Sequence, residues 1–148
     1  MELIRKPENP AKTYLRRYRA LVIQRESLQR SIDAAYDRAT NITPRIKEIN
    51  VQGSGASDKM AEAVAQIADE AERLKAAKQR VDAALADVLT AINAVQDEMQ
   101  RTVLLLRYVE GLEWQRVAEQ IHYEIANTYI LHGRALWAVR KWMEATGK

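Results

Sequence analysis

Val103-Leu104-Leu105-Leu106-Arg107-Tyr108, followed three residues later by Gly111, is the stretch on which the fold turns. The run is too apolar to be a surface segment, and Gly111 suits the left-handed conformation that closes a helix, so one helix is expected to stop there. Downstream, Trp114, Val117, Ala118 and Ile121 recur at the three-and-four spacing of a single inward face. That spacing predicts a short helix over Glu113 to Ile121. After the break His122-Tyr123-Glu124, the residues Thr128, Leu131, Ala135, Leu136, Val139 and Trp142 repeat the spacing. A last helix is therefore expected, with one side resting on its two predecessors and the other side free to meet a partner.

Several of these residues stand in a longer pattern. Leu104-Leu105-Leu106-Arg107-Tyr108, Gly111, Trp114, Val117-Ala118 and Leu131-His132-Gly133-Arg134-Ala135-Leu136, ending in Val139-Arg140, resemble region 4 of bacterial sigma factors, the part that binds the promoter −35 element. Tyr129, the Leu131 to Leu136 stretch, a Gly53-Ser54-Gly55 linker and a long helical front half are similar to a narrower family. Its members are small phage and prophage regulators related to the ArpU and RinA late-transcription activators. The resemblance implies a helix-turn-helix module and a bacteriophage-encoded regulator of transcription that binds double-stranded DNA. It also raises contact with RNA polymerase, as sigma region 4 makes.

The chain departs from the sigma pattern where base edges would be read. Sigma-type modules place a small hydroxyl residue where Glu124 stands, and arginine, glutamate or glutamine at the positions of Ile125, Ala126, Asn127, Tyr129 and Ile130. Left for the DNA face are Asn127, Tyr129 and Arg134, with Gln115 and Arg116 from the supporting helix. Asn127 suits adenine, Tyr129 a phosphate or a thymine methyl, and Arg134 a phosphate or guanine. Residues 99–148 carry seven basic and five acidic side chains, a net of plus two. Because phosphate neutralisation drives duplex binding, a single copy is expected to bind weakly and a paired one usefully. Ile125, Ala126 and Ile130 offer the competing reading, an apolar patch for a protein surface.

The front half reads differently. Tyr14, Tyr18, Leu21, Arg25, Leu28, Ile32, Ala35 and Ala39 alternate steps of four and three. Met60, Val64, Ile67, Ala71, Leu74, Lys78, Val81, Leu85, Val88, Ile92, Val95 and Met99 do the same, with Lys78 the one interruption. Such a repeat predicts helices that supercoil. Pro44 is expected to end the first helix or to begin a short one capped by Thr43, and Gly53-Ser54-Gly55-Ala56-Ser57 to act as a linker whose Ser57 caps the second helix. Charge favours an antiparallel hairpin. Residues 1–50 hold eleven basic and six acidic groups, and residues 51–98 five basic and nine acidic. Lys12, Arg16, Arg17 and Arg19 would then fall near Asp82 and Asp87, as a paired or solvated face.

The expected architecture is all-α. Residues 1–98 form a coiled-coil hairpin with its linker near 50–57, and residues 99–148 the helix-turn-helix. Alanines beside the second stripe widen its apolar face beyond one partner's needs, which predicts a homodimer. Leu21, Leu28, Ile32, Val64, Ile67, Leu74, Val81, Leu85, Val88 and Ile92 are the candidate oligomerisation residues.

Composition argues against other classes. The chain has no cysteine, so disulfides and thiolate metal sites are excluded and a reducing cytoplasm is compatible. Met1 to Pro7 lacks a secretory apolar core, and no segment is long and apolar enough for a bilayer, so a soluble intracellular protein is expected, and the phage resemblance implies the cytoplasm of a bacterial host. His122 and His132 have no metal-binding spacing and read as structural or polar contacts. Gly53-Ser54-Gly55 lacks the lysine and hydroxyl residue of a phosphate loop, and Asp69, Glu70 and Glu72 read as solvated charges. No enzyme, cofactor or metal site is expected. Trp114 and Trp142 belong with the core, and Trp137 falls off the stripe and should be partly exposed. Gly133 inside the last helix points to close approach of another backbone, from DNA or a neighbouring helix. The rival functions are a helical protein-interaction module and a small terminase-like packaging adaptor. The second is disfavoured because such adaptors place the DNA-binding module first.

Overall fold

Asn9 and Pro10 begin the first helix, α1 (Pro10–Ile49), in the computed structural model, which describes residues 7–49 and 55–148 and the side chains of all of these except 42–49 and 55–57. The Asn9 Oδ1 accepts the amide of Ala11 at 3.0 Å, and Pro10 stands where a missing amide costs nothing. The remaining helices are α2 (Gly55–Asn93), α3 (Glu98–Leu104), α4 (Trp114–Ile121) and α5 (Ile125–Thr146), with a π-helical turn at Leu105–Val109. The fold is all-helical, with no strand among the described residues.

Three boundary expectations are corrected. Helix α1 continues through Thr43 and Pro44 to Ile49. A proline removes one amide donor and crowds the turn before it, and the helix runs on for five residues beyond Pro44. Helix α2 begins at Gly55, two residues before Ser57, with Asp58 in its first turn to favour the helix N-terminus. Ser57 is thus inside the helix and not its cap, and Gly53 and Ser54 of the expected linker lie outside the described residues. Finally, the second stripe does not run unbroken to Met99, because α2 stops at Asn93. Asp97 accepts the amide of Gln100 at 2.8 Å and opens α3, while Arg101 donates to the carbonyls of Val95 and Gln96 at 2.7 and 2.9 Å. These bonds satisfy the backbone groups that the break exposes.

The chain divides into two compact units. One gathers the residues up to Ala20 with Asp82–Lys148. Its larger core joins Leu15 of α1, Val88 and Ile92 of α2, Leu104, Tyr108, and Ala135, Leu136 and Val139 of α5. A smaller cluster holds Val103, Leu106, Val117 and Ile121, with Met99, Leu112, Trp114 and Leu131 packed against it. The dense run Val103 to Tyr108 feeds both: Leu104 and Tyr108 face one core, Val103 and Leu106 the other. A segment wedged between two cores cannot spare a polar face, which explains four apolar residues in a row. Arg17 pairs with Asp87 at 3.5 Å in this unit, in keeping with the expected paired face.

The other unit, Leu21–Val81, buries Val22, Ala35, Leu74, Ala77 and Val81 and links Ser31 to Glu70 through a hydrogen bond of 3.2 Å. Met60 and Val64 stay exposed on α2, as do Ile23 and Tyr36 on α1. Of the candidate oligomerisation residues, Leu74, Val81, Val88 and Ile92 are therefore already covered within the single chain. Leu21, Leu28, Ile32, Ile67 and Leu85 are half-buried, and Val64 is open.

Candidate nucleic-acid interface

Helices α4 and α5 are joined by three residues, and the turn between them rests on His122. Its backbone is left-handed at φ 58, and its amide reaches the carbonyls of Ala118 and Glu119. Gly111 does the same before α4 at φ 76, where a side chain would strike the guanidinium of Arg19. The left-handed His122 closes α4 and sets where α5 can start, while Gly111 turns the chain after the π-helical segment and Glu113, in extended conformation, precedes α4.

On its inner side α5 buries Thr128, His132, Ala135, Leu136, Val139 and Met143. Thr128 is fully buried, and its hydroxyl donates to the Glu124 carbonyl at 3.0 Å. The Tyr108 hydroxyl and the His132 Nε2 meet at 2.7 Å. Burial, aided by the positive charges of Lys12, Arg107 and Arg16, holds the His132 imidazolium form down, to a pKa of about 4. Burial also pushes the Tyr108 phenol up to about 12. The imidazole is therefore neutral at pH 7, and one proton is shared in the hydrogen bond between Tyr108 and His132. Trp114 lies edge-on to His132 at 4.4 Å and edge-on to Tyr129 at 5.3 Å. Arg107 covers the Trp114 ring at 4.8 Å and donates to the Leu112 carbonyl at 2.9 Å. A chain of contacts thus runs from the buried pair through Trp114 to Tyr129, which is 48 % exposed.

The sequence-derived candidates lie on α4 and α5. Gln115, Arg116, Asn127, Tyr129 and Arg134 are all exposed. Arg116 is paired with Glu119 at 3.6 Å, and Arg134 has no ion pair among the described residues. Ile125, Ala126 and Ile130, the candidate protein-binding patch, are exposed on the same helix. Glu124 makes no side-chain cap, so it leaves the first amides of α5 unsatisfied by side chains. Trp137 is exposed as expected and carries Lys141 at 5.2 Å from its ring, while Trp142 meets Tyr14 at 6.1 Å.

Sequence reasoning missed the supports behind this surface. Tyr108 and His132 both sit at inward positions, and a polar residue on each of two apolar stripes was the available signal for a buried pair. For Gly133 one of the two expected explanations is corrected within the chain: among the described residues no other element comes within 4 Å of where its Cβ would stand. Among the described residues no helix is long and apolar enough to cross a membrane. No family model matches the chain, and neither a curated protein nor a solved structure matches it.

Proposed function

We propose that this chain is a phage-encoded transcription regulator that binds duplex DNA through α4 and α5, arranged as a sigma-region-4-like helix-turn-helix. It dimerises through its front half, a coiled hairpin. One observation carries the reading. The five residues with DNA-compatible chemistry, Gln115, Arg116, Asn127, Tyr129 and Arg134, are all exposed, while the same helices bury their opposite faces. A helix held on one side and open on the other is what groove entry requires. RNA polymerase is a further partner consistent with the sigma likeness.

Gel-shift or filter binding to random duplex across a salt series tests this. Affinity should fall steeply as salt rises. Arg134→Ala removes a cation with no ion pair among the described residues and should weaken binding by about fivefold to tenfold and flatten the salt slope by about one. Salt-independent retention, or an unchanged Arg134→Ala affinity, would show that this face does not meet DNA. The second reading, a protein-interaction module, is favoured by the exposure of Ile125 and Ile130 at 39 % and 54 %. Ile130→Glu separates the two, since loss of a protein partner with DNA binding intact would favour it.

A further inference from the structure

Ala126, Ile130, Gly133 and Trp137 follow one another at three-and-four spacing along the outer side of α5. All four are exposed, and around Gly133 the space is open to 4 Å. The centre line of the helix face is therefore apolar or bare backbone. Its edges are not. Asn127 and Arg134, two turns apart, line one edge, and Tyr129 and Arg140, three turns apart, line the other. The single carboxylate within α5, Glu144, is tied to Arg140 at 3.6 Å.

An apolar strip between cationic and hydrogen-bonding edges fits a polyanion whose middle is apolar. In the DNA major groove the one apolar group on any base edge is the thymine C5 methyl. Guanine is read most often by an arginine or lysine aimed at its O6 and N7, and here no cation stands on the centre line between Ala126 and Trp137. Resting on the DNA reading above, we infer that α5 selects A·T-rich duplex by packing Ala126 and Ile130 against thymine methyl groups. Asn127 pairs with adenine, and Arg134, which has no ion pair among the described residues, reaches a phosphate at the groove's edge. Gly133 lets the helix backbone come close enough for these short side chains to touch the base edges.

The experiment uses the full chain and three alternating duplexes of equal length, dA–dT, dA–dU and dG–dC. Deoxyuridine keeps every hydrogen-bonding atom of thymidine and lacks only the methyl, so the first two probes differ only where the inference places contact. A buried methyl is worth about fourfold in affinity, so two contacted thymines should favour dA–dT over dA–dU by about fifteenfold. The dG–dC duplex should bind more weakly than dA–dT. Ile130→Ala, a change at an exposed position, should bring the dT-to-dU ratio toward one and leave the salt-dependent, non-specific binding in place. Equal affinity for dA–dT and dA–dU, a preference for dG–dC, or an Ile130→Ala loss that is the same on all three probes would overturn the inference and leave the DNA reading standing. Failure of all three duplexes to bind at low salt would overturn both.

Discussion

Tyr108 and His132 hold the candidate site from behind, and their protonation links it to pH. His132 has a folded pKa of about 4, below the 6.5 of the free imidazole, so the unfolded chain takes up a proton first as pH falls. Stability from this group is complete above about pH 6.5, is lost progressively down to about pH 4, and stays level below that. The loss should be roughly 2 kcal/mol once solvent screening of the neighbouring charges is discounted. Urea midpoints near pH 7 and near pH 4 measure it. His132→Gln should remove most of the slope, and an unchanged slope in that variant would assign the effect to other groups. The sequence shows His132 and Tyr108 each on an inward stripe, but their pairing joins residues twenty-four apart on different helices. No periodicity reports which inward residues meet, so the pair was legible only as two separate polar intrusions into apolar faces.

Helix α5 presents the opposite case, because Thr128, Ala135, Leu136 and Val139 of its predicted stripe are buried, although Leu131 and Trp142 are only half-buried and His132 and Met143 are buried beside them. What spacing could not supply was the space around Gly133. Gly133→Ala adds a methyl where no atom lies within 4 Å, so it should raise stability by about 0.5–1 kcal/mol through helix propensity. If the backbone there approaches DNA, the same variant should lose several-fold in duplex affinity. Thermal melts and gel shifts on one preparation check both, and a stabilised variant with full affinity would show that the gap serves no ligand. The break at Ala94–Asp97 was hidden for a related reason. Val95 and Met99 keep the four-residue step, yet Val95 serves the larger core and Met99 the smaller one. A repeat records which residues are buried, not whether the hydrogen bonds between them are helical. The break is better announced by Asp97 with Gln100 three residues on, a capping pair. Pro44 misled in the other direction, since α1 continues past it to Ile49 despite the lost amide donor and the ring's clash with the preceding turn.

Charge and mass decide how the chain as a whole could hold DNA. Its net charge is only plus three, and Arg116 and Arg140 are each engaged by a glutamate on their own helix. Few phosphates can therefore be neutralised by one copy, and useful affinity requires two modules bound at once. The original dimer stripe is half used up, because Leu74, Val81, Val88 and Ile92 are covered within the chain. Val64, at 58 % exposed, and Met60 remain open, so the proposed dimer contact is assigned to the Leu21–Val81 unit as part of that proposal. Light scattering should accordingly give twice the 16.9 kDa of the single chain. Val64→Glu would set a charge against its own copy in that contact, and should shift the mass toward the single-chain value while leaving the fold, read by circular dichroism, intact. Duplex affinity should then fall by about a hundredfold and the salt slope by about half, as two linked contacts become one. A single-chain mass at every concentration would remove the dimer from the proposal, and duplex binding would have to be explained by one copy. A Val64→Glu protein that keeps the doubled mass would instead locate the contact elsewhere on the chain.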